Sequence, residues 1–159
     1  MLATMYEASG KERVIPIEPL LPEADAGAPE LRILANDFEV AIAYRIAGDD
    51  DRVAVVRFDA RAIYFGDPND EAFQGHPLYR SGLRHYTFAE VVKSPWISAM
   101  EKQNRVHPSH DRAQFSSLRH FILPFHDGTF ECVARRVRAT ITDAVDPARV
   151  LTNATLDGD

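Results

Sequence analysis

The 159-residue chain carries 18 basic and 24 acidic side chains, a net charge of −6, and 45% apolar residues. That suits one domain with a sizeable core and no covalent staple. The acidic balance disfavours nucleic acid and anionic membranes as partners. The single cysteine, Cys132, excludes an intramolecular disulfide and a thiolate-rich zinc site. No run approaches the ~20 apolar residues of a membrane span. The first twelve residues, broken by Glu7, Lys11 and Glu12, hold no apolar signal region. The expected location is the cytoplasm.

Residues 1–30 read as a poorly packed, proline-rich arm, with prolines at 16, 19, 22 and 29. Only Val14-Ile15-Pro16-Ile17 suits a short edge strand, because proline gives up a ladder donor. The main domain is expected over 31–145, with a tail over 146–159 and one helical turn at Asp146–Arg149. Period-two alternation begins at Phe38 and puts Phe38, Val40, Ile42, Tyr44 and Ile46 on one face of a strand. Gly48 to Asp51 turns the chain, and a second strand runs from Arg52 to Phe65. With a three-residue loop, Tyr44 faces Val56, Ile42 faces Phe58, and Glu39 opposes Arg61 on the outer face.

A long loop follows from Gly66 to Tyr86. It includes a helical turn begun by Pro77 and closed by Gly82, and it is pinned by Phe73, Leu78, Tyr79 and Leu83. Thr87-Phe88-Ala89-Glu90 matches a capping box, and Ser94-Pro95 matches a second helix start. The predicted helical segment is therefore about 87–104, in two pieces that meet at Pro95. Asp127-Gly128 is a type I′ turn signal, with Gly128 at φ > 0, between strands that continue to Thr142. Phe121, Leu123, Phe125, Phe130, Cys132 and Ala134 then form a core face. The opposite face is mixed and carries His120, Ile122, His126, Thr129, Glu131 and Val133.

The predicted fold is α+β: an antiparallel sheet of four to five strands built from two β-hairpins, with the 87–104 helix packed on one face. A more closed barrel with the helix across its mouth is the alternative. The core is expected at Phe38, Val40, Ile42, Tyr44, Val56, Phe58, Val91, Trp96, Ile97, Phe121, Leu123, Phe125 and Phe130.

Four of the six histidines lie between His107 and Glu131. Imidazole and carboxylate together suit a divalent metal such as zinc or manganese, and His107, His110, His126 and Glu131 are the candidate ligands. Against this stand Pro108, which breaks helical spacing between the first two, and the lack of any His-Glu-x-x-His pattern. His126 with Glu131 or Asp127 also suits a general base. Cys132 belongs to the core face and reads as a small hydrophobe. No serine lies in a Gly-x-Ser-x-Gly elbow, and no glycine-rich phosphate loop occurs. The clustered Arg135, Arg136 and Arg138 alternate between faces rather than forming one basic stripe. Arg136 and Arg138 fall on the extrapolated core face and need a carboxylate there.

The expected function is a non-catalytic domain that binds a protein or small-molecule partner, with no cofactor. An exposed edge strand leaves room for a homodimer. The alternative is a metal-dependent enzyme or metal-binding protein built on the histidine cluster.

Overall fold

The computed structural model describes residues 5–17 and 21–153. The outermost parts of the predicted arm and tail, and Glu18-Pro19-Leu20, lie outside these. The core of the fold is a single antiparallel sheet of seven strands: β1 (Arg13–Pro16), β2 (Arg32–Ala35), β3 (Val40–Ile46), β4 (Asp49–Gly66), β5 (Ala89–Val92), β6 (Arg119–Pro124) and β7 (Thr129–Asp143). Their order across the sheet is β1-β5-β6-β7-β4-β3-β2. The helices are short: α1 (Pro95–Asn104), α2 (Ala113–Ser116) and α3 (Pro147–Asn153). Among the described residues, no helix is long and apolar enough to cross a membrane.

This overturns the four-to-five-strand α+β expectation. The first half of the predicted helix is β5, paired with β1 on one side and β6 on the other. The capping box does not form. Thr87 Oγ1 donates to the His85 carbonyl, and Glu90 receives the Arg119 guanidinium through two bonds of 3.0 and 2.6 Å. Ala89 and Val91 are buried at alternate positions, so pairing on both edges outweighs a local helix signal only four residues long. The second half is helical as its cap requires. Ser94 Oγ accepts the Ile97 amide and Pro95 opens the first turn.

Both hairpins keep their predicted faces but shift register by two residues. In the first, Tyr44 pairs with Ala54 and Ile42 with Val56. The chain turns at Ala47-Gly48, where Gly48 takes φ +72°. Asp49 Oδ1 then accepts the Asp51 and Arg52 amides, which draws these residues into β4. Phe38 falls in the turn between β2 and β3 and is 78% exposed, so it is not core. Glu39 precedes β3, and Arg61 instead lies over the Phe115 ring, 5.1 Å from its centroid. In the second hairpin Pro124 pairs with Thr129, leaving a four-residue loop rather than a two-residue turn. Gly128 is not among the residues at positive φ. A Cβ there would lie 3.0 Å from the Gly66 carbonyl and from the Phe65 ring, so close approach, not positive φ, favours glycine here.

The central part of the sheet is buried on both faces. One carries Val40, Ile42, Tyr44, Val56, Phe121, Leu123, Phe125, Phe130 and Cys132 around Phe58. Phe58 meets Phe121, Phe130 and Phe88 at ring separations of 5.5, 5.7 and 6.1 Å. Such pairs contribute about 0.5–1.5 kcal/mol each beyond area burial. The other face is covered in two parts. Leu151 of α3 covers Ala41, Ala43, Val53 and Val55. Trp96, Tyr6, Phe73, Leu78 and Phe115 cover Val91, Ile122 and Val133. Ile97 is only half-buried.

An irregularity in the β4–β7 ladder explains the arginines. The register shifts at Asp59, whose Oδ1 accepts the amides of Arg135 and Arg136 at 2.9 and 2.6 Å. The extra residue inverts the alternation. Val137 and Ala139 then pack on the core side, and Arg136 turns outward to pair with Asp59 at 3.2 Å.

Candidate functional site

Glu131 lies three residues into β7 on the face covered by Trp96 and Tyr6, and it is 3% exposed. Three separate segments converge on it. Tyr6, just before β1, donates its hydroxyl to Oε2 at 2.6 Å. His76 sits on the loop between β4 and β5, immediately after a single helical turn at Phe73–Gly75, with Nε2 2.8 Å from Oε1. His120 on β6 pairs with Val133 and lies diagonally across the ladder from Glu131, two residues along, with Nε2 2.7 Å from Oε2. Behind His120, Ser94 Oγ lies 2.8 Å from Nδ1 at the junction of β5 and α1. Trp96 and Tyr6 present their rings to the edge of the His120 imidazole at 5.2 and 5.6 Å.

The contacts assign the protons. His76 Nδ1 accepts the Leu78 amide at 3.0 Å, so its proton lies on Nε2 and is donated to Glu131. The Glu131 carboxylate 2.7 Å from His120 Nε2 needs a proton on that nitrogen, which in the neutral ring leaves Nδ1 to accept the Ser94 hydroxyl, while Ser94 Oγ accepts the Ile97 amide. Glu131 is thus a buried anion with three donors. Burial pushes its carboxyl up, but the bonds from His120 and then His76 outweigh this and hold it at about 2. Burial, and next the Glu131 charge, push the Tyr6 phenol well above its usual range.

Of the four residues proposed as metal ligands, only Glu131 belongs to this cluster. His126 Nδ1 pairs with Asp70 Oδ2 at 2.7 Å in the β6–β7 loop, outside the strand face that was to carry it. His110 Nε2 and Nδ1 face Glu101 and Asn104 at 3.0 and 2.8 Å. His107 is exposed, and its Nδ1 accepts the Ser109 amide. Among the described residues, no group of three or more His, Cys, Asp or Glu side chains is arranged to hold a metal ion. Cys132 is buried on the core face, and burial raises its thiol well above the usual range.

The sequence pattern does not reveal Tyr6 and His76 as partners of Glu131, or Ser94 as the partner of His120. His120 was within reach, because alternation already placed it on one face with Glu131. Ser94 was recognised only as a cap.

The network borders a cleft of about 600 Å³ between α1 and the ends of β5 and β6, with Lys11, Glu90, Lys93, Ser94, Ser98 and Arg119 on its walls. A second cleft of about 610 Å³ shares Ser9 with it and is lined by Arg13, Arg80 and Ser81. Beneath that cleft the Glu12 carboxylate, 4% exposed, takes bonds from the Ser9 amide and hydroxyl, the Gly10 amide and the Ser81 hydroxyl. Burial opposes its ionisation, yet the Ser9 bonds and backbone amides hold it at about 2.

Comparison with family models, with curated proteins and with solved structures finds no match.

Proposed function

We propose that this chain is a ligand-binding domain that takes a small anionic molecule in the cleft beside Ser94. The observation that supports it is local charge. Lys11 and Lys93 border this cleft in a chain of net charge −6, and among the described residues neither forms an ion pair. Arg119 is held in place by Glu90. Ser9 and Ser98 add hydroxyl groups to the same cleft. A concave site with a few convergent polar groups fits a small molecule better than a flat protein surface.

The test is thermal melting with small dicarboxylates and phosphate monoesters beside their neutral analogues. A ligand at 100 times its Kd adds about 2.7 kcal/mol, or roughly 5–10 °C for a domain this size. The anions should raise the melting temperature, and the Lys11→Glu, Lys93→Glu double variant should lose the gain. Equal response to anions and neutral analogues would remove the charge-selective reading.

A further inference from the structure

We infer that Ser94 is a nucleophile activated by His120 and Glu131, and that the cleft accepts an acyl ester or amide carrying an anionic group. The inference rests on the ligand-binding reading for where the substrate lies. Three observations carry it. The first is the unbroken line from Ser94 Oγ to His120 Nδ1 at 2.8 Å and from His120 Nε2 to Glu131 Oε2 at 2.7 Å. A nucleophile, a base within hydrogen-bond reach and a carboxylate that orients the base are the parts of serine acyl transfer. A helix cap alone needs only the Ile97 bond, which Ser94 also makes.

The second is the backbone. Ser94 follows strand β5 and precedes helix α1, and between strand and serine Lys93 takes φ +57°. A left-handed lysine is disfavoured, and such strain concentrates at functional sites. A tight strand-to-helix turn presents a serine at the sheet end without any glycine motif. The third is access. Ser94, 5% exposed, lines the cleft with Lys93, while His120 has no exposed surface. A substrate in the cleft therefore meets the serine and a cation, with the histidine behind the serine.

The steps balance. Ser94 Oγ bonds to the acyl carbon as its proton passes to His120 Nδ1, giving an imidazolium beside the Glu131 carboxylate. The developing oxyanion lies near the positive end of α1. The bond to the leaving group breaks, and the leaving group takes the proton from Nδ1. Water then attacks the acyl-serine, giving one proton to Nδ1. The carboxylic product departs as Ser94 Oγ recovers that proton. Tyr6 and His76 act as positioning residues that keep Glu131 ionised and fixed.

The experiment is labelling of the full chain with a neutral fluorophosphonate, read by intact mass and peptide mapping, beside p-nitrophenyl acetate hydrolysis. The expected result is one phosphonyl group per chain on Ser94, with a burst of p-nitrophenol from the ester. Ser94→Asn, which keeps a capping oxygen, should lose both, and Ser94→Thr should retain slow labelling. No label on the folded wild-type chain, or label elsewhere than Ser94, overturns the inference whatever the variants do. The probe carries no charge, so anion stabilisation without labelling would remove the nucleophile and leave the binding site. Labelling without anion stabilisation would do the reverse.

Discussion

Two tyrosine–carboxylate–histidine clusters stand on this fold with nearly the same bond lengths and very different surroundings. In one, Tyr6 and His120 reach Glu131 at 2.6 and 2.7 Å, with side-chain exposures of 0% for the histidine and 3% for the carboxylate. In the other, Tyr86 and His126 both reach Asp70 at 2.7 Å, with 42% of the histidine and 17% of the carboxylate exposed. The contrast separates geometry from energetics. Around Glu131 every lost partner leaves a buried polar group unsatisfied, so the cluster is expensive to break. Around Asp70 water replaces what is lost, and salt screens what remains. The buried cluster ties the N-terminal segment, the β4–β5 loop and β6 to β7. The outer one secures the rim, where Asp70 also donates its amide to the His126 carbonyl.

The largest expected effect is that of Glu131→Ala. It strands Tyr6, His76 and His120 in the interior and should cost about 3–5 kcal/mol, roughly 10–15 °C in melting temperature. Urea unfolding checks this, and a loss under 1 kcal/mol would mean that water reaches the cluster. Next is acid. The Glu131 carboxyl is depressed from an ordinary 4.5 to about 2. Its contribution is therefore whole above pH 4.5 and is lost as pH falls towards 2. Tyr6→Phe removes one donor and keeps the ring. It should cost about 1–2 kcal/mol and move acid unfolding to higher pH.

His126→Gln should be milder and confined to a window. His126 is raised above its ordinary 6.5, by the Asp70 bond first, so its stabilisation is present below 6.5 and fades as pH rises through the raised value. Asp70 is lowered from 3.8, chiefly by Tyr86 and then His126, so its share is present above 3.8 and fades in acid. The melting difference between wild type and His126→Gln should peak between these limits and shrink in high salt. A difference constant with pH would place the pair in the interior class.

How far these arrangements were legible in the sequence depended on distance along the chain. Period-two alternation sorted Ile42, Tyr44, Phe121 and Phe130 onto the core face, and a register error of two residues left the sorting intact. The registers themselves were set by contacts that hydrophobic pattern does not encode. Asp49 gathers two amides in one turn, and Asp70 holds His126 from 56 residues away. The helix-to-strand error at Ala89–Val92 has the same origin, since partners on both edges decide a four-residue segment. Glu131 and His120 shared a legible face, 11 residues apart. Tyr6 and His76, 125 and 55 residues from Glu131, carry no local signature of the contact.

The most direct test of this account is the ionisation of Glu131 itself, followed through its carboxyl carbon resonance in the folded protein as pH falls from 7 to 3. A carboxylate held by three donors should show almost no titration across that range, because its midpoint lies at about 2. A full titration step at or above the ordinary 4.5 would contradict it, and would mean that the hydrogen bonds from Tyr6, His76 and His120 do not hold the charge.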